Sequence, residues 1–126
     1  MIVALLAVAA VPSDALPVCF KDPDATQVQL NDCAYRQYQE ADRALNVQWR
    51  KTAEAARDAD RATYPRLLNG QRAWLRYREE TCRWVKDTFG GTIAPMNYFD
   101  CMEDITRNRT EELKMLATSP NSGEPL

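Results

Sequence analysis

The feature that most constrains the fold is a stretch without proline or glycine, which runs from Thr26 to about Asp60. Thr26 is typical of a helix N-cap, and Gln29 three residues later completes a capping box. Apolar or small side chains then recur at steps of three and four, which places them on one helix face. They are Leu30, Ala34, Tyr38, Ala41, Leu45, Trp49, Ala53 and Ala56. We therefore predict a first helix of more than about 30 residues, longer than the average helix.

Two more helices are predicted to form an antiparallel hairpin. The second begins at Tyr64-Pro65, with Thr63 as its expected N-cap, because proline is tolerated in the first turn of a helix. It ends at Gly90-Gly91, where paired glycines permit left-handed backbone angles. Its inward stripe is expected to hold Leu68, Gln71, Leu75, Arg78, Cys82 and Val85. The third helix runs from near Pro95 to Leu116, and its inward face is expected to hold Tyr98 or Phe99, Met102, Ile105, Thr106, Arg109, Leu113 and Leu116. No segment alternates as a strand does, so the predicted fold is all-α: a long N-terminal helix packed on a helical hairpin.

The two ends of the chain differ from this helical part. Residues 1–15 resemble an export signal, since Met1–Val11 is apolar, too short to span a bilayer, and followed by small residues suited to cleavage. The run lacks the usual basic start, as a signal truncated at its beginning would. A buried N-terminal helix is the alternative, but prolines interrupt the pattern at once. We expect a helical domain over 16–117, a disordered tail over 118–126, a periplasmic or secreted location, and no stable membrane insertion after signal removal.

Four cysteines and export together predict disulfide bonds. Cys82 and Cys101 lie nine residues before Gly91 and ten after it, so an antiparallel hairpin brings them to the same height. Cys19 and Cys33 lie seven residues to either side of Thr26, so the N-terminal arm would fold back along the first helix. A four-cysteine zinc site is the alternative, but such sites present their cysteines in close pairs. The disulfides are therefore predicted to join the helices into one stapled body.

The composition excludes several kinds of chemistry. The chain contains no histidine, which removes Ser-His-Asp and Cys-His catalysis and the commonest metal ligand. The adjacent carboxylates Glu79-Glu80 and Glu111-Glu112 point about 100° apart on a helix and do not converge on one atom. The 16 basic and 18 acidic residues form no nucleic-acid footprint. We expect no catalytic residue, cofactor or metal.

The densest group of arginines and aromatic side chains is the stretch Gln71–Glu79. These residue types are enriched where proteins bind one another. The candidate partner-binding residues are Arg72, Trp74, Arg76, Tyr77, Arg78 and Glu79. In the alternative interpretation, which we favour, Trp74 and Tyr77 belong to the core and Arg78 pairs with a carboxylate such as Asp42 or Glu103.

Several short motifs occur in an order that resembles one known family, the LprI-like lysozyme-inhibitor domain. They are Ala25-Thr26-Gln27, Leu30 to Ala34, Tyr38, Ala41-Asp42, Leu45-Asn46, Gln71 to Leu75, Tyr77-Arg78, Cys82, Gly90-Gly91-Thr92, Pro95, Cys101 and Thr106-Arg107. The resemblance covers about Cys19 to Leu116 and implies a small, helical, exported bacterial protein without catalytic residues. One branch of the family is tied to inhibition of lysozyme. Fold membership alone does not transfer that function.

The resulting hypothesis is an exported binding protein that acts on lysozyme or another exported protein. Its candidate contacts are Arg72, Arg76 and the turn from Gly90 to Asn97. Lysozymes are usually basic and use two carboxylates in a cleft, so a partner would meet them with positive or acidic side chains. The alternative is a periplasmic structural or assembly module that binds another envelope protein. An enzyme of unrecognised type is the third hypothesis.

Overall fold

The computed structural model describes residues 18–122 as a short 3-10 turn followed by three long helices. The elements are the turn Val18–Phe20 and the helices α1 (Gln27–Ala59), α2 (Tyr64–Phe89) and α3 (Ala94–Ser122). No strand occurs in this part of the chain, so the predicted all-α architecture is confirmed. The predicted signal over 1–15 lies outside the described residues, as do positions 123–126 of the predicted tail.

The long first helix forms as its sequence predicts. α1 contains 33 residues, and Thr26 caps it in an extended conformation. The Thr26 hydroxyl accepts a hydrogen bond from the Gln29 amide, and the Gln29 side chain accepts one from the Thr26 amide. This capping box satisfies backbone donors that would otherwise lack partners at the helix start.

The hairpin of α2 and α3 turns at two glycines that both adopt positive φ angles, 56° at Gly90 and 73° at Gly91. A side chain is strained in that region of backbone space, which explains the paired glycines. Asn31 of α1 donates from its side-chain amide to the carbonyl oxygen of Thr92 at 3.1 Å. The start of α1 is thereby fixed against this turn.

The core forms mainly between α1 and α3, which run parallel and pack together more extensively than any other pair of elements. Small side chains on α1 allow this close approach, since Ala34, Ala41 and Ala53 are each buried. The buried Thr52 hydroxyl donates to the carbonyl oxygen of Leu113 on α3 at 2.8 Å. A polar side chain is therefore satisfied in the middle of the interface.

Both predicted disulfides are present. Cys19 is joined to Cys33 and Cys82 to Cys101, each with a Cα–Cα distance of 5.6 Å. The first holds the 3-10 turn against α1. The second crosses the α2–α3 interface, where Cys82 is completely buried. The spacing of the cysteines about Thr26 and about the glycine turn thus predicted the pairing that the fold shows.

Three details differ from the predictions. Leu75, expected in the inward stripe of α2, is 41% exposed, because α2 packs on α3 and makes little contact with α1. Thr63 precedes α2, but its hydroxyl donates to the carbonyl oxygen of Asp60 at 3.1 Å and does not cap the helix. α3 continues to Ser122, past the predicted tail start at Thr118.

Candidate functional site

The stretch Gln71–Glu79 divides into an inward and an outward set because it forms a continuous part of α2. Gln71 and Arg78 are buried and Trp74 is half-buried, so the residues at steps of three and four face the other helices. Ala73 and Leu75 are exposed, and so are the three candidate residues Arg72, Arg76 and Tyr77, of which Tyr77 is 59% exposed. Of the candidate partner-binding residues, the structure therefore leaves these three accessible and half-buries Glu79.

Arg78 is at the centre of a polar network that joins all three helices. Its Nη1 donates to Oδ1 of Asp42 on α1 and to Oγ1 of Thr106 on α3, both at 2.9 Å. The guanidinium carbon lies 5.5 Å from the Tyr38 ring centroid and 4.9 Å from that of Trp74. Such cation–π contacts strengthen when they are removed from water. The predicted pairing of Arg78 with Asp42 is confirmed, whereas Glu103 pairs instead with Arg107 at 2.8 Å.

A second arginine extends the network along α3. Arg109 donates from Nε to the side-chain oxygen of Gln71 at 3.0 Å and from Nη1 to Glu112 at 2.8 Å. Its guanidinium carbon lies 5.9 Å from the Trp74 ring centroid. Trp74 is therefore close to two guanidinium groups, which explains its inward position. Tyr77 points away from this network, so its assignment to the core was wrong.

Glu79 connects α2 to an aromatic cluster at the start of α3. It accepts hydrogen bonds from the Tyr98 hydroxyl at 2.9 Å and from Arg83 at 2.8 Å. Burial and the hydrogen bond to Glu79 raise the pKa of Tyr98 to about 12. Phe99 of the same cluster packs against α1, with its ring centroid 4.9 Å from that of Tyr35 and 6.0 Å from that of Tyr38.

A groove of about 310 Å³ lies between α1 and α2, above the network. It exists because these two helices contact each other less than either contacts α3. Apolar and polar side chains line it together: Asp42, Leu45, Asn46 and Trp49 from α1, and Leu68, Gln71, Arg72, Leu75 and Arg78 from α2. The candidate residues Arg72 and Arg78 are thus brought together, one exposed and one buried, in a single concave surface.

Carboxylates border a different cleft, on the side of the first disulfide. Asp100, Glu103 and Asp104 line it together with the exposed residues Val18 and Phe20. Burial raises the pKa of Asp100, and neighbouring Glu103 and Asp104 raise it further. Burial and Glu103 likewise raise the pKa of Asp104, which Arg107 partly offsets. Like charges spaced three and four residues apart repel each other on a helix, so these three carboxylates lower the stability of α3.

Two further features bear on what the molecule can do. Across residues 18–122, no group of three cysteine or acidic side chains is placed to hold a metal ion. Within that same range, none of the helices combines the length and apolarity that crossing a membrane requires. Aromatic side chains are exposed along the outer face of α2, where Tyr77 is 59% and Trp84 is 66% exposed.

These observations define a class: small three-helix proteins with two disulfides, an internal arginine–aromatic network and an open groove between α1 and α2. Comparison with known proteins agrees. Residues 19–113 match the model of the family described as lysozyme inhibitor LprI, and the chain belongs to this family. It is also similar to an uncharacterized protein of Rhizobium meliloti (strain 1021), with 35% identity over 105 residues, covering 75% of this chain and 76% of the relative. No solved structure shows a significant match.

The family assignment and the disulfides indicate an extracytoplasmic protein. Sequence reasoning found Arg78 and its carboxylate partner but missed Thr106 and Arg109 as members of the network. Both are on the predicted inward face of α3, which was the available signal. A polar side chain at such a position indicates an internal hydrogen bond, but the partner depends on how the helices pack.

Proposed function

We propose that this chain is an exported protein that inhibits a lysozyme by binding to it. The observation that carries the proposal is the match of residues 19–113 to the LprI lysozyme-inhibitor family. The family is named for inhibition, which favours a binding protein over an enzyme. A signal over residues 1–15 and a periplasmic or secreted location belong to the same proposal, because lysozyme acts on the cell envelope from outside the cytoplasm.

The architecture supports binding by a preorganised surface. Two disulfides and a buried polar network restrict the helices before any partner arrives, which lowers the entropy lost on association. Arg72 and Arg76 are exposed on α2 and are the contacts that we assign to a lysozyme partner, together with the turn over residues 90–97. Arginine at an interface donates several hydrogen bonds to carboxylates, the groups on which lysozyme chemistry depends.

The test is a lysis assay with the purified protein and lysozymes of several types. Inhibition that saturates with added protein is expected for at least one of them. The variant Arg72→Gln/Arg76→Gln should weaken that inhibition, whereas Arg43→Gln/Arg50→Gln removes the same charge from exposed positions of α1 and should not. Full lysozyme activity at excess protein would contradict the proposal. Crosslinking in intact cells then shows whether another envelope protein is the partner, which is the assembly-module alternative.

A further inference from the structure

The guanidinium of Arg78 has hydrogen-bonding capacity that its neighbours do not use. Its described hydrogen bonds, to Asp42 and Thr106, both come from Nη1. Nε is buried and has no partner among the described residues. The side chain as a whole is only 10% exposed. A buried donor without a partner is costly, so native proteins retain few of them without a reason.

The unused atoms lie along one edge of the guanidinium. Nε and Nη2 are adjacent, and a carboxylate binds to that edge through two parallel hydrogen bonds. The rings of Tyr38 and Trp74 lie 5.5 and 4.9 Å from the guanidinium carbon, and together with Asp42 they fix its plane. The edge is therefore held in one orientation, as a receptor for a planar anion requires.

The surroundings of Arg78 indicate what kind of molecule would carry that anion. Arg78 lines the groove between α1 and α2, whose walls include Leu45, Leu68 and Leu75. Arg72 is exposed at the same groove, while the carboxylate of Asp42 is already paired with Nη1 of Arg78. The groove thus combines an excess of positive charge with apolar walls, which complements an acidic side chain that has apolar neighbours.

We propose that the groove between α1 and α2 binds an acidic segment of a partner protein, with Arg78 receiving a carboxylate and the leucines receiving adjacent apolar side chains. The proposal names the surface and the partner chemistry for the binding role proposed above, and it rests on that role. Side-chain carboxylates on a protruding loop of the partner have the required shape, because the receiving surface is concave.

The first experiment observes the Nε–H signal of Arg78 by proton–nitrogen correlation NMR in the full chain. The probe is the peptide acetyl-Leu-Glu-Leu-amide, and acetyl-Leu-Gln-Leu-amide is the uncharged control. A saturable downfield shift of the Arg78 signal with the acidic peptide alone is expected. No shift, or an equal shift with both peptides, would overturn the proposal. If the Arg78 Nε–H contacts water and its signal shifts with neither peptide, the groove holds a bound water only, and this result would also overturn the proposal.

Matched variants test the location. Leu75→Glu places a negative charge at the groove, whereas Trp84→Glu places one at an exposed position of α2 that does not line the groove. We expect Leu75→Glu to weaken peptide binding about tenfold or more and Trp84→Glu to leave it nearly unchanged. Equal effects of the two variants would move the binding site away from the groove. The helical signal in far-ultraviolet circular dichroism checks that both variants are folded.

Lysozyme titration separates this proposal from the proposed function. If Leu75→Glu still inhibits lysozyme, and lysozyme does not shift the Arg78 signal, then the groove is not the binding site but the inhibitor role stands. Peptide binding without inhibition of any lysozyme would remove the inhibitor role but keep the groove as a site for another partner. A chain that lacks residues 123–126 tests whether the C-terminal end of the chain itself occupies the groove. If that deletion alone shifts the Arg78 signal, the chain's own end occupies the groove and the proposal is wrong.

Discussion

Asp42 of α1 and Arg78 of α2 form an ion pair of 2.9 Å between two helices that otherwise contact each other little. Arg78 is 10% exposed and Asp42 is 33% exposed, so the pair lies at the boundary between the core and the open groove. Because the same Nη1 also donates to Thr106, the pair sets the position of α2 relative to both other helices. The width of the groove consequently depends on this contact.

We expect Asp42→Ala to lower the free energy of unfolding by about 2–3 kcal/mol, because it leaves a mostly buried guanidinium without its carboxylate. Urea unfolding followed by circular dichroism measures the loss. Asp32→Ala is the matched control on the same helix. Its ion pair with Arg36 is exposed, at 54% and 74% of the two side chains, and such pairs contribute less than about 1 kcal/mol. Equal losses in the two variants would show that the Asp42 pair has no special structural role.

The buried hydroxyl of Thr52 should contribute measurably to the α1–α3 interface. Thr52→Val keeps the shape of the side chain but removes the donor to the Leu113 carbonyl, and we expect a cost of about 1–2 kcal/mol. Thr110→Val is the control, since the Thr110 hydroxyl donates to the Thr106 carbonyl within its own helix. That local bond competes with helix geometry and adds little. A loss for Thr110→Val as large as for Thr52→Val would contradict this interpretation.

The two disulfides should differ in their effect on global stability. Removing Cys82–Cys101 by serine substitution is expected to cost about 3 kcal/mol in the chain-entropy model, because it joins two helices of the core. Removing Cys19–Cys33 should cost less, since the short N-terminal turn contacts α1 alone and is able to detach while the three helices remain packed. Non-reducing peptide mapping checks the pairing, and urea unfolding measures the stability. A larger loss of stability for the Cys19–Cys33 variant than for the Cys82–Cys101 variant would contradict this prediction.

Stability should depend on pH through Asp100. Its pKa is raised in the folded protein above the usual 3.8, so the folded state retains this proton at a pH where the unfolded state has lost it. The free energy of unfolding therefore falls as the pH rises above 3.8, and the loss persists at neutral pH.

We accordingly expect Asp100→Asn to be more stable than the parent chain at neutral pH, by a few tenths of a kcal/mol or more, because it also removes repulsion from Asp104. The difference should vanish below pH 3.8, where the parent aspartate is protonated in both states. Thermal unfolding at several pH values measures it. Glu40→Gln, at an exposed position in the middle of α1, is the control. An Asp100→Asn gain that stays constant in acid would contradict the assignment.

Local signals in the sequence predicted the elements of the fold well. The capping box of Thr26 and Gln29 marked the start of α1, and Gly90-Gly91 marked the turn of the hairpin. The symmetric spacing of the cysteines about these positions predicted both disulfides. Each of these signals acts between residues close along the chain or related by helix register, so no knowledge of helix packing is needed to read it.

The candidate site was only partly predictable. Arg78 was correctly expected to pair with a carboxylate, but Tyr77 and Leu75 were assigned to buried positions and are exposed. Helical periodicity places all three residues within about 160° of the helix circumference, and it does not say where a neighbouring helix stops covering them. That limit is a property of the packing of α1, α2 and α3, not of α2 itself.

The sequence by itself determined three helices, the N-terminal cap of α1, the glycine turn of the hairpin and the pairing of four cysteines, because these follow from backbone preferences and regular spacing. Only the tertiary structure decided that α1 packs on α3 more than on α2, that Nε of Arg78 has no partner among residues 18–122, and that a groove opens beside Arg78. The physical reason is that small residues such as Ala41 and Thr106 let α1 and α3 approach closely, whereas the walls between α1 and α2 carry larger side chains such as Trp49 and Leu68.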